Sequence, residues 1–243
     1  MKFNVLAQKA AKGSAPAAYG GALEVEHLIA FARVHGTEGA AEIERLSVLH
    51  GWLDDGLLPD GRRVVPFGRW ATACAAYARD GVAGLRSLLA DPAMASFAIG
   101  MLEAVRTRDA ITELLAYCER ADWHTSNADA APWSALGALN MQLSFEDSVP
   151  IDATLQHALY ETAMKAWGAT SIAHLKPIAL YALRGAPVAA SLAWLDALVV
   201  ADPALVSARR VVLKSLKRRL DASYAAPDAR KRREIAKVRS RAT

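Results

Sequence analysis

The chain is poor in the residues that build disulfide frameworks, sheets and metal centres. It has two cysteines in 243 residues, Cys74 and Cys118. They form no Cys-x-x-Cys pair and no disulfide framework. The expectation is two buried helix cysteines acting as small hydrophobes, in a reduced, cytoplasmic protein. Aromatic residues make up only 7% of the chain, and β-branched residues are few, which excludes an all-β fold. No uncharged apolar run approaches the roughly 18 residues a membrane span needs. The best candidate, Leu192 to Ala201, is interrupted by Asp196. The short apolar stretch Val5 to Ala7 is broken by Gln8 and Lys9, so no secretory signal is read at the start.

Motifs that carry chemistry are missing too. No Gly-x-Ser-x-Gly, no His-Glu-x-x-His and no glycine-rich phosphate loop occurs. His27, His35, His50, His124, His157 and His174 are scattered along the chain. No catalytic residue, no cofactor site and no metal site is therefore expected, and a binding protein is expected ahead of an enzyme.

What the chain has in abundance is alanine and leucine, 52 and 29 residues. Alanine is the best helix former and leucine is close behind, so the fold class is all-α. Stop signals and apolar periodicity predict roughly eleven helices. Gly36 closes the first of them as a C-cap, and Ala93–Thr107, Ser171–Leu183 and Ala189–Ala201 are read as continuous helices. Pro177 either kinks or splits the second of these. Pro59-Asp60-Gly61 marks a turn inside a loop or small hairpin over 57–66. The expected organisation is a flexible lead-in over 1–21, a single helical domain over 22–225 and a basic tail over 226–243.

Two stretches share a form. Leu85 to Pro92 and Leu195 to Pro203 are each a leucine-patterned helix ending in Ala-Asp-Pro, followed by an alanine-rich helix. This resembles HEAT-type helical repeats, in which one helix of a pair ends at an Asp-Pro turn and each unit runs about 40 residues. The resemblance covers Gly81 to Arg120 and Ser191 to Leu220. It departs from the family where an arginine normally follows the turn: Ser96 and Phe97 stand there in the first copy, and Arg209 and Arg210 are out of register in the second. It implies a right-handed stack of antiparallel helix pairs, an α-solenoid. An irregular helical bundle is the alternative.

Charge is unevenly placed. Residues 205–243 hold 13 Lys or Arg against 3 acids, a net +10, and residues 1–204 carry a net −6. Arg210, Lys214, Lys217 and Arg218 fall on one face of the last helix, with Val206, Leu213, Leu216 and Leu220 towards the other. Arg230, Lys231, Arg232 and Arg233 continue the charge in the tail. Two functions follow as expectations. The first is a non-catalytic helical-repeat module that binds another protein through an acidic surface, such as a bacterial toxin-neutralising (immunity) protein or an adaptor. Its candidate residues are Glu24, Glu26, Glu42, Asp54 and Asp55, with Trp123 and Trp133 at the edges of the polar loop 122–132, since tryptophan is enriched at binding hot spots. The second is a nucleic-acid-binding protein that contacts phosphates through the basic C-terminal residues. Trp52, Trp70, Trp167 and Trp194 lie on apolar stripes and are read as core.

Overall fold

The computed structural model describes residues 22–50, 67–124, 131–144 and 149–221. The lead-in, the 57–66 loop, Trp52 and the basic tail lie outside these residues. Every regular element among the described residues is helical: α1 (Ala22–His50), α2 (Phe67–Asp80), α3 (Val82–Leu89), α4 (Ala95–Val105), α5 (Arg108–Glu119), α6 (Ala131–Leu143), α7 (Ala153–Ala169), α8 (Lys176–Ala182), a 3-10 turn (Leu183–Gly185), α9 (Ala189–Ala197) and α10 (Pro203–Leu220). No helix among them is long and apolar enough to cross a membrane. The chain divides into two compact units, and the division falls inside α5, between Tyr117 and Cys118.

In the first unit α1 packs chiefly against α2. Gly36 bends α1 with φ +53°, a conformation glycine reaches without the clash a Cβ brings. The C-cap expected there is thus a kink, with helix resuming at once. Leu28, Ala32, Ala40, Ile43 and Leu46 form the buried stripe of α1. The facing helix buries Ala71, Cys74, Ala75 and Ala78, whose small size permits close approach. On α4, Gly100 lies against the Trp70 ring, only 2.4 Å from where a Cβ would sit. Leu85, Met101, Leu102, Ile111 and Leu114 complete the core. One carboxylate enters it: Glu113 is 8% exposed and its Oε1 accepts from both Nε and Nη2 of Arg86. A buried carboxylate needs such a partner to offset its lost hydration.

The second unit gathers around the short α8 and its 3-10 turn, which pack against α6, α7 and α10. Leu136, Leu139, Leu159, Leu180, Leu183, Leu195, Val212 and Leu216 form its core. Asp152 caps α7 by accepting from the Leu155 N–H at 3.0 Å, which satisfies one of the donors a helix start leaves unpaired.

Three helix limits differ from the sequence reading. Residues 173–175 form a turn, and α8 starts with Pro177 in its first turn. Proline has no N–H to lose there, so it starts the helix instead of kinking one. Helix α9 ends at Ala197, leaving Val199 94% exposed. The two Ala-Asp-Pro turns also diverge. At Asp202 the carboxylate accepts from the N–H groups of Ala204 and Leu205, and α10 begins at Pro203. At Asp91 it accepts from Ala93, three turn residues follow, and α4 begins only at Ala95.

Candidate functional site

Helix α10 carries the described part of the basic end. Its buried stripe is Leu205, Ala208, Val212 and Leu216, at the three- and four-residue steps of one helix face. Val206 and Leu220, placed on the apolar side from sequence, are 47% and 41% exposed. Leu216 lies in the stripe as expected, whereas Leu205, Ala208 and Val212 were not singled out from sequence. Leu213 is half-buried and Leu216 fully buried.

The six basic residues of α10 fall into two groups. Arg209 and Arg219 lean inward. The Arg209 Nε donates to the Leu195 carbonyl at 2.6 Å and its Nη2 to the Asp196 carbonyl at 2.9 Å, both in the last turn of α9. The two Nη atoms of Arg219 donate to the carbonyls of Arg184 at 2.8 Å and Leu143 at 2.6 Å. Helix ends leave such carbonyls without intrahelical partners, and a cation there also meets the negative end of the helix dipole. Burial, with Arg184 and Arg218 beside it, holds the Arg219 guanidinium below its ordinary pKa. Sequence reasoning missed this structural role, because nothing in the order of residues separates Arg209 from Arg210 or Arg219 from Arg218.

The second group points outward. Arg210, Lys214, Lys217 and Arg218 are all exposed. Arg210, Lys214 and Arg218 step four residues at a time, about 6 Å along the axis per step. Lys217 sits 3.6 Å from Asp196, both side chains more than half exposed, so that pair is worth little. Among the described residues the other three have no acidic partner. Arg230, Lys231, Arg232 and Arg233 lie outside the described residues.

The acidic candidates are not brought together in the same way. Glu26 is exposed on α1. Glu42 is held by Arg45, Oε2 to Nε at 2.7 Å and Oε1 to Nη2 at 2.8 Å, and this hydrogen bond lowers its pKa. Glu44 is similarly engaged by Arg79 at 3.1 Å. The side chain of Glu24, and Asp54 and Asp55, lie outside the description.

The tryptophans change places. Trp123 and Trp133 are each 2% exposed and pack edge to face, ring centroids 5.0 Å apart. Neither offers a surface to a partner here: the turn after α5 and the first turn of α6 fold their indoles onto each other. Trp167 and Trp194, read as core, are half-buried. They form a second edge-to-face pair at 5.5 Å, with the Lys176 ammonium 4.9 Å from the Trp167 ring centroid.

Among the described residues no group of three His, Cys, Asp or Glu is placed to hold a metal ion. Compared with known proteins, the chain matches no family model, no curated protein and no solved structure. The functional reading rests on the geometry alone.

Proposed function

We propose that this protein is a non-catalytic binding protein whose ligand is a nucleic acid, held by its phosphates on the outer face of α10. The observation that carries this is the exposed row Arg210, Lys214 and Arg218, cations without acidic partners among the described residues. Surface cations of a folded domain are usually interspersed with acids. A row of one sign on one helix face creates a local positive potential, which attracts a polyanion and is strengthened by release of its counterions. The acidic-surface reading has less support, since Glu42 and Glu44 are already engaged by arginines.

Within each unit most packing joins a helix to the next or next-but-one along the chain. That order supports a HEAT-like stack of helix pairs as the finer description of the fold.

A labelled DNA or RNA oligonucleotide titrated at several salt concentrations tests the function. The wild-type chain is expected to bind at low salt and to weaken steeply as salt rises. The combined Arg210→Ala, Lys214→Ala and Arg218→Ala variant is expected to lose affinity. Its slope of log K against log salt should shrink by about 0.9 for each duplex phosphate contact removed. Negligible binding at low salt, or an unchanged slope in the variant, would sink this reading.

A protein partner is a second reading, favoured by one observation on α1. Val48 and Leu49 are 85% and 60% exposed, on the same helix whose Ile43 and Ser47 line a groove of about 610 Å³ with Ala71, Ala75, Ala83 and Leu88. A pull-down from the native host that recovers no stoichiometric protein would count against it.

A further inference from the structure

Helix α9 separates two features of the second unit. On one flank Asp196 meets Lys217 of α10 at 3.6 Å. On the other, Trp194 meets Trp167 of α7, the rings edge to face with centroids 5.5 Å apart. Asp196 and Trp194 are two residues apart, about 200° around the helix, so the indole pair lies across α9 from the basic face of α10. Between them the outer side of α9 carries Ala193 and Ala197, both exposed. They make a low, uncharged ridge. A strand crossing it from the row Arg210, Lys214 and Arg218 would travel about 10–12 Å, the diameter of a helix. At about 3.4 Å of axis per phosphate, that is roughly three nucleotides.

The indole pair has a cation of its own. Lys176, the first residue of α8, holds its ammonium 4.9 Å from the Trp167 ring centroid. It has no acidic partner among the described residues. Trp167, Trp194 and Lys176 are all partly exposed. The other tryptophan pair of this protein differs: Trp123 and Trp133 close over each other at 2% exposure. A partly open indole pair beside such a cation offers apolar ring surface and positive charge in one place. Every nucleic-acid base has a π-face, and aromatic side chains beside a basic track hold single strands with little regard to sequence. In a duplex the bases stack on one another, and side chains reach only their edges in the grooves.

We propose that the nucleic acid held on α10 is single-stranded, and that one of its bases stacks on the Trp167–Trp194 pair while Lys176 contacts an adjoining phosphate. The strand follows the α10 row by its phosphates, crosses α9 at Ala193 and Ala197, and docks a base where the indoles are open. Stacking here rests on the phosphate contacts of α10 proposed above. It adds to them the class of strand and the place where a base enters.

Full-length protein is titrated at low salt with a labelled single strand, with the same strand made abasic, and with the same sequence as a duplex. The intact single strand is expected to bind more tightly than either of the others and to quench tryptophan fluorescence. Trp194→Leu should weaken its binding about five- to a hundredfold, the loss of one stacked base, with the slope of log K against log salt unchanged. Trp194→Phe should keep most of the affinity, since phenylalanine still stacks. Lys176→Gln should reduce the slope by about 0.7, the value for one single-strand phosphate. The Arg210, Lys214 and Arg218 variant should weaken on all three probes. An abasic strand or a duplex that binds wild type as tightly as the intact strand overturns the stacking site and leaves the phosphate face of α10 standing. That comparison needs no variant, so it decides even where Trp194→Leu fails to fold. A folded Trp194→Leu that binds the intact strand like wild type overturns it too. Absence of binding to every probe overturns the α10 face as well.

Discussion

Single residues set where this protein spends charge and where it hides it. Glu103 on α4 is half-buried, and burial raises its pKa above the ordinary 4.5, with Arg106 acting in the opposite direction. A carboxyl whose folded pKa is raised binds more protons in the folded state than in the unfolded one. Its contribution is therefore present below the unfolded pKa and is lost as pH rises through the folded value. In urea unfolding from pH 4 upwards, Glu103→Gln is expected to gain on the wild type as pH climbs past the ordinary carboxylate range. A stability difference that stays flat with pH would refute this. The cysteines are simpler. Burial pushes both the Cys74 and Cys118 thiols up to about 12, so neither carries thiolate near neutrality, as their apolar helix positions led one to expect. Other residue roles could not be read in advance. Trp123 and Trp133 flank a polar loop in sequence, yet they are the buried pair. Trp167 and Trp194 sit on apolar stripes, yet they are half-buried. Periodicity tells which side of a helix is apolar, but not how far the next element extends to cover it.

At the scale of elements, α10 shows how adjacent residues with one charge do different work. Arg219 donates to two helix-end carbonyls while Arg218 faces solvent. Arg219→Met is expected to destabilise the fold by about 2 kcal/mol, the range for hydrogen bonds from a charged donor. Arg218→Met should fall within about 0.5 kcal/mol of wild type, as surface changes usually do. Equal midpoints for the two variants in urea would show that the inward contacts contribute nothing. The helices themselves were legible in the alanine and leucine content, and Asp202 was legible as a boundary, whereas Gly36, expected to end a helix, bends one. The true first turn of α8 was not, because Pro177 suits both a helix start and a kink, and only the backbone of 171–175 decides between them. The Ala-Asp-Pro turns look alike in sequence because the same side-chain acceptor serves a helix cap at Asp202 and a non-helical turn at Asp91.

For the whole molecule, the net charge of +4 averages two opposite ends. The −6 of residues 1–204 does not amount to an open acidic face where Glu42, Glu44 and Glu113 are concerned, since arginines engage all three. The +10 of residues 205–243 divides between the inward arginines, the outward row and the tail. Removing residues 226–243 takes away seven Lys or Arg and two acids. The shortened chain is expected to bind nucleic acid more weakly but with a measurable salt dependence remaining from α10. Complete loss of salt-dependent binding on that deletion would move the whole function to the tail. The division inside α5 had no counterpart in the sequence reading. A continuous helix carries no compositional break, so a boundary defined by packing leaves the residues that cross it looking ordinary.

The ten helical steps from Arg209 to Arg219 also act as a ruler. About 15 Å of helix separates the guanidinium that holds the end of α9 from the one that holds the ends of α6 and the 3-10 turn. Inserting or deleting one residue between them would rotate one arginine by about 100° relative to the other, and one set of carbonyls would lose its donor. The fold therefore fixes the length of this segment through its two inward arginines, while the outward residues between them are not held by those contacts.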